Sequence, residues 1–210
     1  MAKIKLCGLK RKEDIITANV LMPDYIGFVF YPLSRRALNI DQAEELKALL
    51  DPDITAVGVF VDEEIGFIKE LLDRRIIDAV QLHGNEDAEY IKRLRSMTDK
   101  CIIKALRIRE VTNDHLYLAD IADHILLDPG MGDGKTFDWD IIRKTEVDPA
   151  KLFLAGGLDP ENVADAVRFA RPYAVDVSSG IETDGVKDAK KMEQFVLAVK
   201  NADNQEVKDE

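Results

Sequence analysis

Eight short apolar runs, each followed by a longer stretch of helical character, constrain this chain more than any other feature. They are KIKLCG (3–8), YIGFVF (25–30), TAVGVF (55–60), DAVQLHG (78–84), CIIKALRI (101–108), HILLD (124–128), LFLAGG (152–157) and YAVDVSSG (173–180). A strand that is apolar almost throughout has both faces covered, as in a parallel sheet dressed by helices. Helical segments are expected over Lys12–Val20, from an N-cap at Asp41 to Leu50, near 63–74, from about Glu86, from Glu110, from Asp138 and from about Asp188. A further helix is expected to open at LDPEN, with Asp159 as N-cap and Pro160 at the first helical position.

Roughly eight strand–helix units in about 200 residues fit a compact, single-domain α/β fold, the (β/α)8 TIM barrel. The rival is an open doubly wound sheet, which carries a glycine fingerprint after its first strand. Here the first strand runs into Cys7-Gly8-Leu9-Lys10, and the glycine pairs come late, after the seventh and eighth runs. Barrels frequently bind phosphate there. The barrel domain is expected over 1–200, with 201–210, NADNQEVKDE, as a polar, disordered tail.

Composition narrows the partners. With a formal net charge of −11, the chain is a poor candidate for non-specific nucleic-acid or anionic-membrane binding. An anionic ligand has to be held by local features: backbone N–H groups, helix N-termini or a well-placed arginine. Two cysteines, Cys7 and Cys101, make no disulfide framework. The start, MAKIKLCGLK, lacks the apolar core of a signal peptide, and no run approaches the ~20 residues of a membrane span. A cytoplasmic monomer or homodimer is expected.

One stretch, LLDPGMGDGKTFDW (126–139), imitates a nucleotide-binding loop at Gly134-Lys135-Thr136. The position that needs the first glycine holds Pro129, which has no N–H for a phosphate. Gly130, Gly132 and Gly134 instead suggest a mobile lid.

In a barrel the chemistry sits at the C-terminal ends of the strands. That rule gathers Cys7, Arg36, His83, Asp128, Gly156, Gly157, Ser178, Ser179 and Gly180, and sends Cys101 to the opposite, stability face. Cys7 and Asp128 end strands on opposite walls, and a thiol and a carboxyl so placed form an acid/base pair for a substrate between them. An arginine after the second strand offers a fork for a carboxylate, although spacing does not choose between Arg35 and Arg36. His83 reads equally as a ligand, a base or a packed polar residue, and no second histidine or cysteine at ligand spacing argues for a metal. The glycine and serine turns after strands seven and eight suggest a phosphate held between them.

The segments KIKLCGLKRKEDI, YIGFVFYPLSRR, VGVFVDE, AVQLHGNED, LLDPGMGDGKTFDW, LAGGLDPENV and AVDVSSGIETDGVKD resemble, in order and over nearly the whole chain, the phosphoribosylanthranilate isomerase family of tryptophan biosynthesis. The resemblance implies a cofactor-free, metal-free barrel that carries out an Amadori rearrangement. By motif, Cys7 would be the general base at the ribose C2, and Asp128 the acid that protonates the ring oxygen. Arg36 would hold the anthranilate carboxylate. Gly156, Gly157, Ser179 and Gly180 would hold the phosphate, and His83, Asp176 and Ser178 would complete the substrate wall. The chain departs from the family in the short loop GMGDG, where Asp133 adds a carboxylate expected to slow closure, and in Lys10, where threonine is usual.

Two rivals stand beside that reading. A barrel like indole-3-glycerol phosphate synthase would need a lysine and glutamates at the strand ends, where this first strand ends in cysteine. A silent binder of a phosphorylated metabolite would have no use for both Cys7 and Asp128.

Overall fold

The computed structural model describes residues 1–107, 117–128, 145 and 147–206. Eight parallel strands close on themselves in chain order. They are β1 (Lys3–Cys7), β2 (Tyr25–Val29), β3 (Thr55–Phe60), β4 (Ala79–Leu82), β5 (Cys101–Arg107), β6 (His124–Asp128), β7 (Leu152–Leu154) and β8 (Ala174–Val177). Among the described residues the helices are α1 (Lys12–Leu21), α2 (Ile40–Leu49), α3 (Ile65–Asp73), α4 (Ala88–Arg95), α5 (Leu118–Ile121), α6 (Val163–Ala170) and α7 (Ala189–Glu206). The (β/α)8 barrel expected from the apolar runs is the fold. None of these helices is long and apolar enough to cross a membrane.

Closure depends on the β1–β8 seam, where Lys3 to Leu6 lie level with Ala174 to Val177. Alternation along each strand then sorts the side chains. Outward residues such as Ile4, Leu6, Ile26, Phe28, Val80 and Ile102 pack beneath the helices in one large cluster. Inward residues Val57, Ala79, Ile103, Leu126 and Phe153 fill the lumen. Phe153 packs there against Tyr25 and Tyr173, with ring centroids 5.5 and 5.6 Å away. Above this layer the lumen changes character, and Lys5, Gln81 and Asp176 lie buried beneath the mouth.

At the bottom rim one device recurs. Asp24, Asp78 and Asp123 each stand immediately before an even strand and accept a hydrogen bond from the preceding odd strand. The donors are the N–H groups of Ile4 at 2.9 Å, Ala56 at 2.9 Å and Ile102 at 2.7 Å. Each carboxylate also meets a cation, from Lys3, Lys47 and Arg95 respectively. These clamps pin the register in a sheet where a slip would turn the lumen face outward.

Several local expectations need correction. The N-cap of α2 is Asn39, not Asp41: Asn39 exchanges hydrogen bonds with Gln42 in a capping box, which starts the helix at Ile40. Asp159 does not cap α6 directly. Its carboxylate accepts from the N–H groups of Glu161 and Asn162, closing a separate turn, and the helix begins only at Val163. The tail boundary also moves, because α7 continues through Glu206, past the expected limit at 200. The helices expected from Glu110 and Asp138, and residues 207–210, lie outside the described residues.

Removing the Phe153 ring from this closed lumen leaves a cavity. Phe153→Ala is expected to lower stability by about 3–5 kcal/mol in urea unfolding followed by circular dichroism. Leu197→Ala on the exposed face of α7 should change it by less than about 0.5 kcal/mol.

Candidate active site

The mouth of the barrel holds a cavity of about 280 Å³. Cys7 from β1, His83 just after β4, Asp128 from β6 and Asp176 from β8 line it, together with Arg36 from the loop after β2. Gly156, Gly157, Ser178 and Ser179 form the rim after β7 and β8. Gly180 is not part of this wall. Next to Ser179, a Cβ at Gly180 would lie 1.9 Å from the Leu158 carbonyl oxygen, so its bare α-carbon lets the two loops touch. Gly130, Gly132, Gly134, Lys135 and Thr136 lie outside the described residues.

Cys7 is buried among Val29, Val59 and Tyr31. Its sulfur occupies a notch made by Gly27 on the neighbouring strand, where a Cβ would approach Sγ to 2.6 Å. Burial pushes the thiol above its ordinary range, while the ammonium groups of Lys5 and Lys187 pull the other way and Asp176 adds to the rise. Immediately after it, Gly8 takes a positive φ of 78°, and its missing side chain makes room for the aliphatic arm of Arg36.

Sequence spacing left Arg35 and Arg36 as equal candidates. Both reach the same buried carboxylate, but only Arg36 lines the cavity. Arg36 donates from Nε to Glu182 Oε1 at 2.6 Å and from Nη2 to Oε2 at 2.9 Å. Arg35 Nη2 adds a bond of 2.8 Å to Oε2, and Lys187 Nζ one of 2.8 Å to Oε1. One edge of the Arg36 guanidinium is thus fixed by protein, which orients the rest of the group. Burial alone would raise the Glu182 carboxyl. The hydrogen bonds and charges of Arg36 and Lys187 outweigh it and hold the group at about 2.

His83 stands between Gln81 and Asp128. Gln81 Nε2 lies 3.0 Å from Nδ1, and His83 Nε2 lies 3.8 Å from Asp128 Oδ2. With the amide donating to Nδ1, the ring carries its proton on Nε2, facing the carboxyl; that tautomer is assigned from the network. Burial lowers the His83 pKa against the pull of Asp128, which favours the neutral ring. Among the described residues no three His, Cys, Asp or Glu side chains gather as a metal site. Cys101 sits at the far end of the lumen beside Tyr25 and Tyr173, its thiol pushed up to about 12 by burial.

Comparisons with known proteins place the chain in a family and a fold. The family model described as N-(5'phosphoribosyl)anthranilate (PRA) isomerase matches residues 4–198. The chain belongs to that family. The N-(5'-phosphoribosyl)anthranilate isomerase of Endomicrobium trichonymphae is 44% identical over 207 residues, covering 96% of this chain and all of the relative. A crystal structure from Jonesia denitrificans superposes with a TM-score of 0.87 at 32% identity, covering 97% of this chain and 98% of the other. A phosphoribosyl anthranilate isomerase in complex with reduced 1-(o-carboxyphenylamino)-1-deoxyribulose 5-phosphate superposes with a TM-score of 0.80 at 35% identity, covering 96% of this chain and all of that one.

Sequence reasoning missed Lys5, Gln81, Glu182 and Lys187. The signal for Lys5 was present: a lysine two residues before Cys7 must share its inward face. Glu182 and Lys187 come from a small antiparallel ribbon, β9 (Glu182–Thr183) and β10 (Val186–Lys187), which no apolar run announces.

Because its folded-state pKa is depressed, Glu182 stabilises the protein above its ordinary value of 4.5, and that contribution is lost as pH falls toward about 2. Glu182→Gln should therefore flatten part of the acid-side fall in stability across that window, by at most a few kcal/mol, when urea unfolding is measured over a pH series.

Proposed function

We infer that this chain converts N-(5'-phosphoribosyl)anthranilate to 1-(2-carboxyphenylamino)-1-deoxyribulose 5-phosphate, the isomerase step of its family in tryptophan biosynthesis. The observation that carries the residue assignment is the shared cavity: a thiol and a carboxyl from β1 and β6, with an arginine fork to one side and glycine-rich turns on the rim.

In this reading the substrate lies across the mouth. Its phosphate is held at the turns after β7 and β8, around Gly156, Gly157, Ser178 and Ser179. Its carboxylate meets the edge of Arg36 left available by Glu182. Gly180 supports that rim from behind. Asp128, as the acid, protonates the ribose ring oxygen. The C1–O bond breaks, and the anilino nitrogen lone pair forms the C1=N iminium. The iminium acidifies the C2 proton, which the Cys7 thiolate removes, and the C2–H electrons become the C1=C2 bond of an enaminol. Protonation at C1 with loss of the 2-hydroxyl proton gives the ketose. C1 is reduced and C2 oxidised within one molecule, so the electrons balance internally.

His83 flanks the carboxyl, with Nε2 3.8 Å from Asp128 Oδ2. Asp176 closes the floor beneath the sugar.

Turnover is followed by loss of anthranilate-type fluorescence, with the unstable substrate generated in place. The native protein should be active. Cys7→Ser and Asp128→Asn should each lower kcat by about 10²–10⁴-fold, and Arg36→Met should raise KM by roughly 10–100-fold. A folded but inactive native protein would overturn the substrate assignment. Undiminished turnover in Cys7→Ser or Asp128→Asn would remove that residue from its role.

A further inference from the structure

The lumen directly below Cys7 contains a charge that the reaction scheme does not use. Lys5 is completely buried. It lies two residues before Cys7 on the same inward face of β1, and its Cα is level with that of Asp176 across the seam. Its Nζ donates to Asp176 Oδ1 at 2.9 Å. An ammonium has three hydrogens, and Asp176 Oδ1 is the one oxygen that receives one among the described residues. The other group that faces it is Cys7, two residues on along the same inward face, whose charge and that of Lys5 act on each other.

Such a pair is a poor choice for stability alone. Removing two charges from water costs more than packing apolar side chains of similar volume. The layer just beneath is filled by apolar residues such as Leu126, Ile103 and Phe153, so apolar filling of this lumen is possible.

We propose that Lys5, anchored by Asp176, is the positioning residue of the base: its ammonium sits against Cys7 Sγ and stabilises the thiolate that takes the C2 proton. The charge balance supports this. Asp176 cancels the charge of Lys5 in the resting thiol state. When the thiolate forms, the ammonium has a second anion to face. When the C2–H bond breaks and the S–H bond forms, Lys5 keeps all its protons. Lys187 also acts on the thiol from the ribbon side, but its ammonium is already bound to Glu182 and to the Ser178 carbonyl. Asp176 opposes the thiolate, and His83, Arg36 and Asp128 share the cavity.

Lys5 acts with no contact to solvent or to the cavity, so its loss should reach kcat rather than KM. The proposal rests on Cys7 being the base, and alkylation of the thiol tests the two apart because it needs no turnover. In a Cys101→Ala chain, the iodoacetamide reaction rate is followed from neutral to alkaline pH. Lys5→Met should raise the midpoint for thiolate formation by about one pH unit or more and lower kcat at neutral pH by roughly ten-fold or more, with KM nearly unchanged. Lys5→Met/Asp176→Asn, which leaves no unpaired charge, should show the same direction and guards against misfolding of the single variant. A comparison needing neither variant sets the Cys101→Ala chain against Cys7→Ala, and Cys7 should form its thiolate before Cys101. An unmoved midpoint in either folded variant, or a Cys7 that ionises no earlier than Cys101, would overturn the role of Lys5. Undiminished turnover in Cys7→Ser would instead remove the base itself.

Discussion

Everything at the mouth depends on the hydrogen bonds that join the first strand to the last. Along that seam β1 lies level with β8, and Lys5 faces Asp176. Only with the seam closed does Cys7 sit within reach of groups more than 160 residues away in sequence. The ribbon that follows β8 supplies Glu182 and Lys187, and Glu182 in turn seizes Arg36 from the loop after β2. The site is a consequence of closure rather than of any contiguous motif.

The interior is divided by height. Its lower part is packed with apolar and aromatic side chains, which stabilise by burial. Its upper part holds buried charges: Lys5 with Asp176, and, beside the mouth, Lys104 with Glu86 at 2.7 Å. Lys104 also donates to the Gly84 carbonyl, and Glu86 accepts from the Asp62 N–H, so this pair ties together the loops after β3 and β4 next to His83. These charges cost more to desolvate than apolar residues would, and they lie at the end of the barrel that carries the cavity.

Much of this was legible in the sequence because a parallel barrel writes its strands as plain apolar runs. The strands were found to within a few residues, and the rule that chemistry sits at strand C-termini gathered Cys7, His83, Asp128 and Arg36 into one place. What escaped was decided by contacts far apart in the chain. The need for a glycine at 180 is not visible in the sequence: it comes from the Leu158 carbonyl lying against its α-carbon. Asp159 reads as a cap until its hydrogen bonds close a turn ahead of the helix. Lys5 was hidden inside an apolar run, where the surrounding residues outvoted it, and its pairing with Asp176 appears only across the closed seam.

The aspartate clamps at the bottom rim carry a consequence for the order in which the molecule takes shape. Each joins an odd strand to the even strand that follows, so each is a contact between chain neighbours about 20 residues apart. The seam between β1 and β8 spans nearly the whole chain and is the costliest contact to form early. Without β8 the ammonium beneath the thiol has no carboxylate to meet. An incompletely synthesised chain can own most of the sheet and still have no floor to its active site. The cavity floor thus belongs to the closed barrel and not to any part of it.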